Sequence, residues 1–551
     1  MKTVIITQAA VLLSAMPLPA QLLDSIARRV DSVFVALDKR TSPGCALGIY
    51  TAGQIVYTRG YGSANLEHDI PITPRTVFDL GSTSKQFTAM SLMLLQRDGK
   101  LSLDDEVRQW IPELPAYQKP VTIRHLIHHT SGLRDYLTLM WLRGVNFDGV
   151  TTAGDALSLI VKQRETNFEP GSEYLYSNTG YFLLSEIVRR ASGKTLAQFA
   201  QERIFGPLGM QTTHFHDDHT MIVPNRATGY APRDSGGFAI AMSGFEQVGD
   251  GSVMTTVEDL ARWDRNFYEG QVGGGTLLEA MLVPGRLTGG RTLEYAFGLV
   301  VGQYRGLRTV RHGGAWAGYR AELLRFPEQR TSVAVLCNHA RSGPGRLSQR
   351  VADVILRDRL SAPTVATNAS SGASGSSPEG AISRYLGAYR DAASDEIRIV
   401  STRGDTLFMD YGDGDLTELR PLGNDRFAVE GSSWEVRFVA PATLVEQAPN
   451  QPPASFVRFT RARPTARELA AYAGAYYSDE LDVRWTIAAD SAGLIARIPG
   501  GDTLRLAPTV RDVFVGGNVT LKFRRSGSRV SGILLHSGRV RNIVFSRVDS
   551  R

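Results

Sequence analysis

The sequence predicts an α+β fold, with an antiparallel sheet flanked by helices and followed by two small all-β antiparallel barrel modules. Strand-like runs open and close residues 21–360, while apolar residues at helical spacing occupy the middle of this unit. A Ser-, Ala- and Gly-rich segment at residues 361–380 contains no aromatic residue and cannot build a core. Beyond it, short alternating apolar and polar runs are typical of barrels or sandwiches.

The composition is that of a multidomain globular protein. Its 551 residues predict three or four domains at roughly 150 residues per domain. After the N-terminal region no run of about 18 apolar residues occurs, so no integral membrane span is expected. The net charge of +6 comes from arginines spread among acidic residues. Nucleic-acid binding needs a concentrated basic patch and is therefore not expected.

The N-terminus has the pattern of a targeting segment. Lys2 precedes an apolar stretch from Val4 to Leu18, and the small residues Pro19 and Ala20 follow. This pattern predicts a secretory signal peptide at residues 1–20 and a periplasmic or secreted protein. The alternative is a short N-terminal helix.

The C-terminal part of the chain repeats itself. YLGAY at residues 385–389 recurs as YAGAY at 472–476, and FTR at 459–461 recurs as FSR at 545–547. Ordered matches at a nearly constant offset indicate two copies of one module.

These boundaries predict five segments. They are a signal peptide at 1–20, the large α+β unit at 21–360, a linker at 361–380, and β-barrel modules at 381–463 and 464–551.

Within the large unit, each element has its own sequence signal. CALGIYT and QIVYTRGYG flank Thr51-Ala52-Gly53 and predict a β-hairpin. Apolar residues at helical spacing predict helices from Thr83 to Asp98 and from about Gly180 to Ala191, the second one stopped by Gly193. The runs TVRHGG, AELLRFPE and TSVAVLCN predict three consecutive strands, which meet the first hairpin in one sheet.

The two cysteines, Cys45 and Cys337, lie in strand-like runs. The favoured interpretation is two buried apolar thiols. One disulfide between paired strands is the alternative, and it requires Cα atoms within about 7 Å of each other.

Ser82-Thr83-Ser84-Lys85 is the only S-x-x-K in the chain and lies at the start of the first predicted helix. Residues three apart share a helix face, so the Lys85 amine can reach the Ser82 hydroxyl. Serine is a poor nucleophile unless an adjacent base takes its proton, and a lysine with a lowered pKa can be that base. The alternative is a helix-capping serine and a solvated lysine.

Two further segments offer groups for the same chemistry. Tyr176-Ser177-Asn178 precedes the second helix and supplies a proton carrier and an amide. His312-Gly313-Gly314 ends a predicted strand and supplies an edge with little side-chain bulk.

S-x-x-K, Y-x-N and H-x-G in this order resemble the serine β-lactamase and penicillin-binding-protein-like superfamily, in its class C-related branch. Supporting segments are LIHHTSGL at 126–133, PLGM at 207–210, GDGSVMTTVEDLARW at 249–263 and LLRFPE at 323–328. The resemblance covers about residues 25–358. The tandem barrels and the H-x-G motif resemble the D-aminopeptidases of this superfamily, whereas class C β-lactamases have K-T-G.

The resemblance implies a β-lactamase/transpeptidase-like sheet, lipocalin-like barrels and an acyl-enzyme mechanism. Ser82 would attack the acyl carbon, Lys85 would act as base, and Tyr176 would relay a proton to the leaving group. No metal or organic cofactor is implied. The substrate-binding and oxyanion positions would be Asn178, His312, Gly313, Gly314 and Ala315.

Three other histidine groups are interpreted as non-catalytic. His214–His219 has the residue types of a metal site but is expected to form a surface turn. His128 and His129 are expected to be hydrogen-bonded structural residues. His536-Ser537-Gly538 is a second H-x-G, without its partner motifs.

The predicted function is a secreted serine hydrolase, an aminopeptidase or amidase acting on small or D-amino-acid-containing peptides. The alternatives are a carboxylesterase or weak class C-like β-lactamase, and, in another class, a non-catalytic penicillin-binding-like protein. The resemblance implies that a loop of the last barrel narrows the site, so the substrate should be a small molecule or short peptide. His312 is neutral at pH 7, so carboxylate-anchored substrates should be held less well than by K-T-G. The oligomeric state is left open.

Overall fold

The computed structural model describes residues 20–362 and 382–549, apart from 393, 412–415, 431–433, 440–441, 448–452 and 502. Residues 1–19 of the predicted signal peptide and residues 363–380 of the predicted linker lie outside the described residues.

A six-stranded antiparallel sheet forms the centre of the large unit. Its strands in chain order are β1 (Cys45–Thr51), β2 (Gln54–Tyr61), β3 (Val300–Tyr304), β4 (Leu307–Trp316), β5 (Tyr319–Phe326) and β6 (Thr331–Cys337). The spatial order is β3-β4-β5-β6-β1-β2, so strands from the two ends of the unit meet where β6 pairs with β1. The predicted α+β sheet is confirmed.

The first hairpin turns within two residues. Ala52 and Gly53 have φ angles of 51° and 73°, which a two-residue turn with the twist of its strands requires. Glycine adopts this conformation without a steric penalty.

Both faces of the central strands are covered by helices. Leu47 and Ile49 pack with helices Ala20–Phe34 and Pro344–Ile355 on one face. Ala46, next to Leu47 in β1, belongs to the large core on the other face. Successive side chains of a strand point to opposite faces, which explains why β1 is an almost continuous apolar run.

The two predicted helices are present. The first, Lys85–Arg97, continues a 3₁₀ turn at Gly81–Ser84. The second, Asn178–Ser192, ends at Gly193, whose φ of 74° is left-handed. Asn178 is therefore the first residue of the helix, although the sequence placed it in the preceding loop.

The other helical segments are Val107–Trp110, Ile123–Ile127, Tyr136–Arg143, Ala153–Ile160, Leu196–Ala200, Gln201–Phe205 (a π-helix), Gly206–Leu208, Val257–Glu269, Gly275–Met281 and Ala466–Ala470. Short strands lie at Ser63–Asn65, Ile70–Pro71, Phe78–Asp79, Val150–Thr151, His214–Phe215, Tyr230–Pro232, Phe238–Ile240, Gly244–Phe245 and Val253–Thr255. None of the described helices combines the length and apolar character needed to cross a membrane.

The two C-terminal modules are closed antiparallel barrels of eight strands each, as predicted. The first consists of Gly387–Arg390, Ile397–Arg403, Thr406–Asp410, Leu416–Gly423, Arg426–Val429, Glu435–Val439, Thr443–Gln447 and Ala454–Phe459. The second consists of Gly474–Ser478, Val483–Ala489, Leu494–Arg497, Thr503–Pro508, Val513–Gly516, Val519–Ser526, Arg529–Ser537 and Val540–Val548. In each barrel, neighbours in the chain pair and the last strand closes on the first.

The second barrel packs directly on the large unit. Its apolar residues join the same buried cluster as the helices around Ser82, whereas the first barrel has a core of its own. The Trp485 indole N–H donates to the carbonyl of Leu142 at 3.0 Å. Arg134 and Glu480 form a buried ion pair across the contact, with Nη1 2.8 Å from Oε1. These contacts fix the second barrel relative to the active-site region.

The favoured interpretation of the cysteines was wrong. Cys45 and Cys337 are both buried, but they form a disulfide with a Cα–Cα distance of 4.0 Å. The physical reason is strand register, because Cys45 lies directly opposite Cys337 where β1 pairs with β6.

Candidate active site

Ser82 lies in a tight 3₁₀ turn that packs directly against β4. Gly81 has a φ of +49°, and its N–H donates to the Asp79 carboxylate at 2.7 Å. A Cβ at Gly81 would lie 2.7 Å from the backbone nitrogen of Ala315. The Thr83 hydroxyl donates to the carbonyl of His312 at 3.0 Å, which joins the turn to β4 at a second point.

The Lys85 amine is buried one helical turn after Ser82. Its Nζ lies 3.1 Å from Ser82 Oγ, 3.0 Å from Asn178 Oδ1 and 2.5 Å from the carbonyl oxygen of Asp250. The amide oxygen and the carbonyl can only accept hydrogen bonds, so they take both N–H groups of a neutral amine. The lone pair of that amine then points at the Ser82 hydroxyl, as a general base requires.

The charge state of Lys85 follows from its surroundings. Burial lowers the pKa of the Lys85 amine to about 7, the Asp250 carboxylate opposes this shift, and the Arg539 guanidinium adds to it. Burial also raises the pKa of Asp250, whose carboxylate accepts a hydrogen bond from the Tyr136 hydroxyl at 3.1 Å. A substantial share of Lys85 is therefore neutral at pH 7.

Tyr176 places a neutral phenol beside the pair. Its hydroxyl is buried and has no hydrogen-bond partner among the described residues. Burial raises the pKa of Tyr176, and the neighbouring Ser82 hydroxyl partly offsets the rise. The Lys85 amine lies 4.9 Å from the centre of the Tyr176 ring. A protonated, unpartnered hydroxyl at this position can pass a proton to a substrate atom.

Asn178 is held in place through its backbone. Its N–H donates to Oδ2 of Asp135 at 2.7 Å, and the other Asp135 oxygen accepts from the N–H of Thr138 at 3.1 Å. Asp135 therefore caps one helix and anchors the start of the next, which fixes the amide that contacts Lys85.

His312 lines the site as an uncharged group. Its Nδ1 lies 2.6 Å from the Gly313 carbonyl and its Nε2 lies 3.0 Å from the Tyr295 hydroxyl. Because a carbonyl only accepts, the ring proton belongs on Nδ1 and Nε2 accepts from Tyr295. Burial lowers the pKa of His312 to about 3, and the Lys85 charge acts in the same direction.

The second half of β4 presents a strand edge beside Ser82. β3 pairs with β4 only as far as Arg311, and no other described strand pairs with that edge from His312 to Trp316. A Cβ at Gly314 would lie 1.8 Å from the carbonyl oxygen of Leu80, so only glycine fits there. An extended substrate backbone can pair with such an edge.

The pocket at Ser82 is small. Its volume is about 50 Å³, and its lining includes Ser82, Asn178, Asp250, Ala315 and Trp316. This volume is far below the roughly 300 Å³ at which drug-sized ligand pockets begin, so the pocket suits a small side chain.

The last hairpin of the second barrel, strands Arg529–Ser537 and Val540–Val548, closes one side of the site. The Asn167 amide donates to the carbonyl of Arg539 at 2.9 Å and accepts from the N–H of Arg541 at 2.7 Å. The guanidinium carbon of Arg539 lies 4.7 Å from the centre of the Tyr176 ring. A loop of the last barrel thus reaches the site, and its effect on substrate size stays a prediction.

The structure brings together the predicted residues Ser82, Lys85, Tyr176 and Asn178, with the His312–Ala315 strand beside them. It leaves His536 outside the pocket, although the turn that follows His536 carries Arg539. Sequence reasoning did not single out Asp135, Asp250, Tyr295 or Arg539. Asp250 lies in the GDGSVM segment that carries the resemblance, whereas nothing local marked Arg539.

The other histidines differ in position. His129 Nδ1 accepts from the N–H of Ser177 at 3.2 Å, and its ring lies 4.1 Å from that of Tyr176, so it supports the Tyr176 loop. Near the predicted surface turn, ligand atoms of Asp218, His219 and Glu246 lie within 4.8 Å of one another at partly or fully exposed positions. His214 and His216 are not in that group.

Comparisons with known proteins agree with this fold. Residues 30–356 match the family model described as Beta-lactamase. The D-aminopeptidase of Gluconobacter oxydans (strain 621H) is 32% identical over 57% of this chain and 60% of its own length, so the chain spans less than two thirds of that relative. The D-aminopeptidase of Cereibacter sphaeroides (strain KD131 / KCTC 12085) is 28% identical over 92% of this chain and 96% of its own.

Among solved structures, the octameric penicillin-binding protein homologue from Pyrococcus abyssi has a TM-score of 0.56 at 23% identity. The alignment covers 79% of this chain and 99% of that chain, and it shows a shared fold.

Fold and site together define a serine hydrolase. The chain belongs to the Beta-lactamase family, and its homologues include D-aminopeptidases.

Proposed function

We propose that this chain is an aminopeptidase or amidase that cleaves small, D-amino-acid-containing peptides through an acyl-enzyme on Ser82. The observation that carries the proposal is the buried Lys85 amine, 3.1 Å from Ser82 Oγ, with both of its neutral N–H groups taken by acceptors.

Acylation begins when neutral Lys85 takes the Ser82 proton and Oγ attacks the scissile carbonyl carbon. The backbone N–H groups of Ser82 and Ala315 stabilise the oxyanion, each donor contributing about 3–4 kcal/mol in the transition state. The proton passes from Lys85 through the Tyr176 hydroxyl to the leaving nitrogen, and the C–N bond breaks.

Deacylation reverses the proton path. A water molecule loses a proton towards Tyr176 and Lys85 and attacks the ester carbonyl, and the proton returns to Ser82 Oγ as the acid product leaves. Asn178 holds the Lys85 amine in one orientation through both steps. No step requires a metal ion.

The preferred substrate follows from the pocket and the relatives. A pocket of about 50 Å³ favours a small residue such as alanine at the acyl position. The relatives named D-aminopeptidase support the D configuration, and the free edge of β4 supports a peptide backbone over an isolated acid.

The substrate class is tested with chromogenic compounds. We expect release of p-nitroaniline from D-alanine p-nitroanilide at least about tenfold faster than from the L enantiomer. The methyl group of the L enantiomer lies on the other side of the α-carbon, where it would clash in so small a pocket. Turnover of only p-nitrophenyl acetate or of a chromogenic cephalosporin would instead identify an esterase or a β-lactamase. Equal rates on both enantiomers would contradict the D preference.

We further propose that the protein is exported to the periplasm or the medium. The signal-like residues 1–20 support this proposal, and so does a Cys45–Cys337 disulfide, because such bonds persist in oxidising compartments. Protein isolated from its host and denatured under non-reducing conditions is expected to have no titratable thiol. Two free thiols in a chain that retains its N-terminus would contradict both the disulfide and the export.

A further inference from the structure

Arg539 places a guanidinium with unused hydrogen-bond donors at the edge of the active site. Its side chain is 44% exposed, and its ion-pair partner among the described residues is Asp135, with Nη1 3.9 Å from Oδ2. That separation is too long for a hydrogen bond, and Oδ2 already accepts from the N–H of Asn178. The guanidinium thus has donors that no described residue uses.

The hairpin backbone holds Arg539 in place. Asn167 bonds to the backbone of both Arg539 and Arg541, and the Arg134 Nε donates to the carbonyl of Arg541 at 2.9 Å. Arg134 is itself buried against Glu480. A cation on a turn whose backbone is fixed by these three hydrogen bonds is preorganised for a ligand.

The position of Arg539 indicates which part of a substrate it meets. Its guanidinium carbon lies 4.7 Å from the centre of the Tyr176 ring, and Tyr176 is the residue that passes a proton to the leaving group. The leaving group must therefore lie beside Tyr176, within reach of the guanidinium. On the strand side, His312 is buried and uncharged, so it supplies no cation for an anionic substrate.

We propose that Arg539 binds the free carboxylate of the leaving group, so that the substrates are short peptides ending one residue after the scissile bond. Guanidinium and carboxylate match geometrically and form two parallel hydrogen bonds. The inference rests on the proposed Ser82 acyl-enzyme. Arg539 of the second barrel would then bind the substrate carboxylate, which the neutral His312 does not bind.

The test compares two peptides that differ only in this group, D-alanyl-D-alanine and D-alanyl-D-alaninamide. We expect the wild type to cleave the central amide of the free acid with a kcat/KM roughly 10- to 100-fold higher, as one charge-assisted contact implies. Arg539→Gln is expected to bring the ratio close to one, whereas Arg539→Lys keeps most of it. A ratio that Arg539→Gln leaves unchanged, or no wild-type preference, overturns the proposal.

Arg529→Gln is the matched control. It removes the same charge from the same hairpin, at an exposed position roughly 25 Å away along the strand, so it is expected to keep the wild-type ratio. An equal loss in Arg529→Gln would show a general charge effect and overturn the assignment to Arg539.

A binding measurement separates this proposal from the proposed function. Ser82→Ala binds both dipeptides without turnover, and we expect Ser82→Ala, but not the double variant Ser82→Ala/Arg539→Gln, to bind D-alanyl-D-alanine more tightly than D-alanyl-D-alaninamide. If the wild type cleaves neither peptide, the amidase proposal fails while these affinities still decide carboxylate binding. Equal affinity of Ser82→Ala for both peptides overturns the role of Arg539.

Discussion

Ser82→Ala is expected to lower kcat/KM for the best substrate by at least about 1,000-fold and to leave the fold intact. The hydroxyl oxygen is the atom that becomes acylated, and no other described hydroxyl is hydrogen-bonded to the Lys85 amine. The substitution removes one small polar group from a turn that is held by Gly81 and Thr83, so the unfolding temperature should change little. Steady-state kinetics and thermal unfolding measure the two effects.

Ser177→Ala is the control for this experiment. Ser177 is also buried near the site, but its hydroxyl has no hydrogen-bond partner in the described structure, so its removal is expected to be nearly neutral. A fluorophosphonate should label the wild type and Ser177→Ala and should not label Ser82→Ala. Hydrolysis that survives in Ser82→Ala would place the nucleophile elsewhere.

Lys85→Met is expected to reduce the acylation rate by about 1,000-fold as well, because the base is lost while the volume of the side chain is kept.

The pH dependence of the wild type reports on the same amine. With a Lys85 pKa near 7, the neutral base is lost as the pH falls, so kcat/KM should drop about tenfold per pH unit below about pH 7 and level off above it.

Lys85→Arg tests whether charge or basicity matters. An arginine keeps the positive charge but does not deprotonate, so it is expected to be as inactive as the methionine variant. Lys100→Met, at an exposed lysine just after the same helix, should keep the wild-type rate and profile. An acid limb that persists unchanged in Lys85→Met would assign the titration to another group, such as Asp250.

Much of the fold follows from local patterns. The strand-like runs β1 and β2, the helical spacing after Ser82 and the glycine stop at Gly193 are set by neighbouring residues. Each appears where the local pattern predicts it. The repeat in the C-terminal part likewise predicts two similar modules, because identical spacing of strands and turns produces the same barrel twice.

The interpretation of Cys45 and Cys337 as two free thiols was wrong because the pairing register of two distant strands decides whether they meet. Residues 45 and 337 are far apart in the chain, and only the pairing of β1 with β6 brings them opposite each other. A shift by one residue would turn the side chains to opposite faces, so the pattern of each strand alone cannot decide whether the thiols meet.

The sequence by itself determined the fold class, the tandem modules and the residues of the three motifs, because local periodicity and short spacings encode them. Only the tertiary structure decided that Asp135 anchors Asn178, that two acceptors orient the Lys85 amine, and that Arg539 approaches Tyr176 from a separate barrel. These contacts join residues up to several hundred positions apart. They depend on how whole elements pack, which no local pattern specifies.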